Sequence, residues 1–220
     1  ICEYATEHNL YNPYLTRTSG DCFFESMEHL GLYDDAAKFR TALAMLFIYF
    51  RDKKNFIAGQ DLTLCELFGF INEIDSVYCK KDNKFYKYNY DAMCIDVMSE
   101  GAWTRLPTQL IMMVISTILN IKFKIIHDNG HITEICTTDK DDYVTINLGL
   151  IGEVHYVPLD IKRGRNEETN ILKYTDAQKA FHKWARSISL QIGKYKIESD
   201  FTSDEESTEN SQNDDLEQQN

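Results

Sequence analysis

Between residues 34 and 54 the apolar positions Phe39, Leu43, Leu46, Phe47 and Phe50 recur at spacings of four, three, one and three. That spacing puts them on one face of a helix, and Asp34 and Asp35 suit the positive end of its dipole. A second helix is predicted over residues 90–100, closed by Gly101, and a third from Pro107, carrying Leu110, Met113, Val114 and Ile118. The period then drops to two. Ile121, Phe123 and Ile125 alternate with Lys122 and Lys124, the mark of a half-buried strand. Asn129-Gly130 is a favoured two-residue hairpin turn, and residues 132–137 supply the returning strand. Two more strand-like runs, 143–148 and 154–159, are separated by Gly149 and Gly152. Helices first and an antiparallel meander last predict an α+β domain, with N-terminal helices packed on a small, mainly antiparallel sheet.

Residues 1–20 read as polar and turn-rich, with Asn12-Pro13 and Ser19-Gly20. Residues 162–170 are charged and read as a linker; Thr175 suits the cap of a helix to Gly193, with Phe181, Trp184, Ala185 and Ile188 on one stripe. The expected division is therefore a core domain at 1–160, a linker and C-terminal helix at 161–196, and a disordered acidic tail at 197–220. Charge supports the division. Of 35 acidic residues, nine lie between Glu198 and Asn220, where there is no Lys or Arg; the other 26 face 23 basic residues. The remainder of the chain is thus nearly neutral and has no basic stripe for nucleic acid. No apolar run approaches the roughly 18–20 residues of a membrane span. Six cysteines at wide, irregular spacing, with no CxxC pair, argue against a disulfide framework or a zinc ribbon and for a reducing, cytoplasmic setting. The start at Ile1 suggests a domain of a longer polypeptide, monomeric within it.

Candidate chemistry centres on Ser19-Gly20-Asp21-Cys22-Phe23-Phe24-Glu25-Ser26. A glycine turn delivers a cysteine to the start of an apolar run. A thiol at a helix N-terminus meets the positive end of the dipole and unpaired amides, which favour the thiolate and can cradle an oxyanion. Such a thiol needs a base, usually histidine. Of the six histidines, His155 stands out at the start of a strand in Glu153-Val154-His155-Tyr156-Val157-Pro158-Leu159, where backbone pairing on both sides would fix it. From spacing alone, a buried structural cysteine and an ordinary strand histidine remain the commoner reading. Cys65, Cys79, Cys94 and Cys136 lie among apolar or strand residues and read as packed. The run from Phe85 to Tyr90 reads as a loop covering the core or as a contact surface.

Gly20-Asp21-Cys22-Phe23-Phe24 with Ser26 resembles the nucleophile motif of the ovarian tumour (OTU) cysteine proteases. Gly101-Ala102-Trp103, Leu110 and Leu119-Asn120-Ile121 resemble that family's second landmark, and His155-Tyr156 its third. The three stand in the family's order and span about residues 10–160. The resemblance implies a papain-like OTU fold and a cysteine isopeptidase that removes ubiquitin, or ubiquitin-like modifiers, from host proteins. Cys22 would be the nucleophile and His155 the general base. The Ser19, Gly20 and Asp21 turn would hold the oxyanion, with no metal or other cofactor, and Trp103 would be core. Two positions depart from the pattern. Ser19 stands where the family commonly has Asp, and Val157, two residues after His155, stands where many members carry the orienting Asp or Asn. The third member then comes from elsewhere or is absent: Asn147 on the preceding strand is one candidate orienter, with Glu3 or Glu7 in the N-terminal arm behind it, and a working Cys22–His155 dyad is the preferred reading. The alternatives are a thiol protease that processes its own polyprotein, as in a virus, and a catalytically silent ubiquitin-binding module.

Overall fold

The computed structural model describes residues 1–33, 35–79, 83–137 and 142–161. The linker, helix and acidic tail expected beyond residue 161 lie outside them. The chain runs through α1 (Cys2–Glu7), β1 (Leu10–Tyr11), α2 (Cys22–His29), α3 (Ala36–Tyr49), α4 (Leu64–Ile71), β2 (Ser76–Cys79) and β3 (Lys84–Lys87). It continues through α5 (Tyr90–Met98), a single 3-10 turn (Trp103–Arg105), α6 (Thr108–Leu119), β4 (Ile121–His127), β5 (Ile132–Ile135), β6 (Val144–Ile151) and β7 (His155–Ile161). Local chemistry sets the helix starts. The Asp35 carboxylate accepts from Lys38 N at 2.8 Å, and Asn89 Oδ1 accepts from Ala92 N at 2.9 Å. Thr63 and Glu66 form a reciprocal capping box on α4, a helix the apolar spacing had not suggested. At the other end of α6, Asn120 adopts the left-handed conformation at φ 53° and turns the chain straight into β4.

The α+β class holds; the meander does not. The sheet order is β1-β7-β6-β4-β5, and β4 pairs with β6 in parallel, from Ile121 opposite Val144 to His127 opposite Leu150. The hairpin partner β5 sits outside β4, so the chain crosses back before entering β6. Burial gives the reason. Ile121, Phe123 and Ile125 are buried beneath the helices, and Ile126 is buried on the other face, so β4 is an interior strand covered on both sides. The Asn129-Gly130 hairpin forms, but as a three-residue loop. His127 N donates to His131 O at 2.9 Å, and Gly130 takes φ +86° at the left-handed position such loops require.

The main core packs Phe23, Phe24 and Met27 of α2 with Leu43 and Phe47 of α3, Ile111 and Ile115 of α6, and Phe123, Ile146 and Leu148 of the sheet. On the opposite face Leu10, Ile126 and Leu159 are covered by Ile1, Tyr4 and Ala5. The N-terminal arm is therefore ordered structure, contrary to its polar reading. α1 is too short to stand alone and is held by this contact. No helix among the described residues is long and apolar enough to cross a membrane.

Candidate active site

Cys22 opens α2, and the turn before it is clamped from three directions. Gly20 has φ +86°, and a Cβ there would lie 2.5 Å from the carbonyl oxygen of Gly101. Only glycine allows two backbones this close. Gly20 O in turn accepts from Trp103 N at 3.1 Å, and the Asp21 carboxylate accepts from Gly101 N at 3.1 Å. The third clamp is Arg40 of α3, which is 1% exposed and ion-pairs with Asp21. Its guanidinium also donates to Val97 O at 3.2 Å and Gly20 O at 3.3 Å, and lies 4.0 Å from the centre of the Phe24 ring. Burial lowers the Arg40 pKa to about 10, which leaves it charged at neutral pH. Trp103 is packed as expected, stacked on Phe23 at 4.3 Å and edge-on to Phe24 and Tyr156. The Gly101-Ala102-Trp103 segment is thus the wall against which the cysteine turn is set.

The thiol meets the sheet at an uncovered edge. β1 pairs only with Asp160 and Ile161, so among the described residues no strand lies beside the rest of that edge of β7. There Tyr156 gives its N–H to Cys22 Sγ at 3.4 Å, and its carbonyl accepts from Thr16 Oγ1. The Sγ also lies 3.9 Å from Val154 O. Cys22 is therefore held against the backbone on both sides of His155. At His155, pairing fixes β7 on one side only, through Ile151 opposite it; side chains take the place of the second strand there. Burial pushes the Cys22 thiol above its ordinary pKa, and the amides of Tyr156, Phe23 and Cys22 itself pull the other way. No hydrogen bond joins the Sγ to the imidazole among the described residues; the ring's Nε2 lies 3.3 Å from Thr16 Oγ1. Catalytic hydrogen bonds often tighten only once substrate is bound.

The third position differs from expectation. Ladder register sets Asn147 opposite Leu159, four residues along β7 from His155 and therefore about 13 Å away along the strand. Asn147 does not orient His155. Glu3 and Glu7 lie on α1, whose apolar side covers Leu159, and neither bonds the ring. Val157, 2% exposed, is packed beneath Gly149 and Ile1. The group on the imidazole is Thr16, buried at 5% exposure in the segment that precedes the cysteine turn. Glu25, on α2 and also buried, anchors that segment by accepting from Arg17 N at 2.8 Å and from the Arg17 side chain. Tyr14 stacks on His29 at 3.7 Å farther along the same helix. Sequence reasoning passed over Thr16 because a lone threonine in a polar stretch carries no periodic signal.

Elsewhere, Cys94 is buried and its pKa is pushed up to about 12, which suits a packed thiol, whereas Cys136 is exposed rather than packed. Tyr88 and Tyr90 are buried, whereas Phe85 and Tyr86 of β3 are exposed. Among the described residues no three His, Cys, Asp or Glu side chains cluster as metal ligands.

The chain is structurally similar to an OTU deubiquitinase from Wolbachia pipientis wMel solved bound to ubiquitin, at a TM-score of 0.42 and 16% identity, over 70% of this chain and 97% of that one. It is also similar to the OTU domain of OTUD1, at 0.45 and 14% identity, over 72% and 90%. Both are OTU domains. No protein-family model matches the chain, and no curated protein sequence does.

Proposed function

We propose that this chain is an OTU-type cysteine isopeptidase acting on ubiquitin attached to protein lysines, as the motifs around Cys22, Trp103 and His155 imply. The observation that carries the reading is the Tyr156 N–H on Cys22 Sγ at 3.4 Å, which docks the first residue of α2 against the backbone beside His155. The Cys22 thiol passes its proton to His155, and its electron pair forms a C–S bond with the carbonyl carbon of ubiquitin's terminal glycine. The carbonyl π pair moves onto oxygen, opposite amides of the Ser19–Cys22 turn and the first turn of α2. Collapse expels the lysine amine, which takes the proton from His155. Water, deprotonated by the same imidazole, then hydrolyses the thioester and restores the thiol. A cytoplasmic setting belongs to this proposal, as does action on ubiquitin-like modifiers.

One observation favours a second reading, a silent ubiquitin-binding module. Cys22 is only 2% exposed, and its thiol is held above its ordinary pKa. A single experiment separates the two: ubiquitin bearing a C-terminal alkyne warhead, incubated with the chain and with Cys22→Ala. A Cys22-dependent mass increase of one ubiquitin supports the isopeptidase. Binding by calorimetry without an adduct supports the silent module, and neither adduct nor binding overturns the ubiquitin reading.

A further inference from the structure

We infer that Thr16 is the positioning residue that sets the tautomer of His155, in place of the carboxylate or carboxamide that is missing where Val157 stands, two residues after the histidine. The inference rests on the reading of Cys22 as nucleophile and His155 as base. A threonine hydroxyl has one proton and two acceptor lone pairs. Here it contacts two groups, the carbonyl of Tyr156 and Nε2 of His155 at 3.3 Å. The carbonyl can only accept, so the hydroxyl proton points to Tyr156 O. The hydroxyl oxygen is then left as an acceptor, and Nε2 of His155 must be the donor. That assigns the neutral ring its proton on Nε2 and leaves Nδ1 as the basic nitrogen. An orienting group acts by this means, holding the ring in the tautomer and rotation in which its basic nitrogen is presented to the nucleophile.

Three features make Thr16 suited to the task. It is 5% exposed, so water competes little for the hydroxyl. Its acceptor Tyr156 is the residue whose N–H holds the nucleophile, so one peptide segment couples the hydroxyl, the ring and the thiol. The next residue, Arg17, is tied through its N–H to Glu25, three positions after Cys22 on α2. The orienting hydroxyl therefore rides on the helix that carries the nucleophile.

The test begins with the wild-type chain. Long-range 15N–1H correlation of labelled histidines, at a pH where the ring is neutral, should show His155 protonated on Nε2. Thr16→Val should scramble that pattern, and Thr16→Ser should restore it. On a fluorogenic ubiquitin substrate, Thr16→Val should lower kcat by about 10- to 100-fold, less than the roughly 10⁴-fold that follows removal of a triad carboxylate. KM should stay within about twofold, and Thr16→Ser should recover most of the rate. A wild-type His155 protonated on Nδ1 overturns the inference, as does a Thr16→Val variant with unchanged tautomer and kcat. If wild type turns over no ubiquitin, the functional reading fails while the tautomer measurement still decides the role of Thr16. If Thr16→Val does not fold, the wild-type tautomer and the serine variant decide it.

Discussion

Replacing Arg40 by methionine would remove the guanidinium that neutralises Asp21 beneath the cysteine turn. Both side chains are nearly sealed from solvent, at 1% exposure for Arg40 and 8% for Asp21. Loss of Arg40 leaves the Asp21 carboxylate with the Gly101 N–H at 3.1 Å, and leaves Val97 O and Gly20 O without the hydrogen bonds they accept from it. Removing one partner of a buried pair costs about 3–5 kcal/mol, chiefly because the other charge stays buried. Methionine keeps part of the contact with Phe24, so the expected loss lies in that range rather than above it. A domain of ordinary stability, about 5–15 kcal/mol, would stay folded in water but unfold at much lower urea. The double variant Asp21→Asn/Arg40→Met should recover about half of the loss, since a carboxamide oxygen still accepts from Gly101 N without a charge to desolvate. Equilibrium urea unfolding, followed by far-UV circular dichroism for all four members of the cycle, measures the coupling. An Arg40→Met loss below about 1 kcal/mol, or a double variant whose loss equals the sum of the singles, refutes the assignment of this pair as the brace of the turn.

Four further outcomes are expected. Because burial raises the Cys22 pKa, iodoacetamide should alkylate it in the unbound chain with a midpoint above the roughly 8.5 of an unperturbed thiol; a midpoint below about 7 would mean a preformed ion pair. By the same sign, the stability that the neutral thiol contributes is fully present below the unfolded pKa and is lost as pH rises through the folded one, which urea titration across that window reads out. Gly20→Ala should destabilise by more than Gly31→Ala, since both glycines have positive φ but only Gly20 has backbone at 2.5 Å from the added Cβ; equal midpoints would sink the close-approach argument. Trp103→Ala should cost about 3–5 kcal/mol by thermal and urea unfolding, as it empties the ring stack on Phe23, and a loss under about 1 kcal/mol would show that the wall is not packed as described.

Much of this was legible along the chain. The face Phe39, Leu43, Leu46, Phe47 produced α3, the helix expected over 90–100 formed as α5 but ended at Met98, short of Gly101, and the alternation at Ile121–Ile125 became β4, because helix and strand periods are local properties of adjacent residues. The Cys22 and His155 positions also stood out, since a glycine turn before a cysteine and a histidine opening a strand are short-range patterns. Strand pairing was decided elsewhere. β5 takes one edge of β4 and the chain crosses back to lay β6 parallel on the other, and no pattern within either strand encodes which neighbour it pairs with. The brace and the orienting group came only from the tertiary structure. Arg40 reaches Asp21 across 19 residues and Thr16 reaches Tyr156 across 140. A lone arginine on a helix face or a threonine in a polar stretch has no periodicity to reveal it. What gives each its role is the low-dielectric site that the fold closes around it, where an unmet charge or carbonyl is costly and a single partner decides the chemistry.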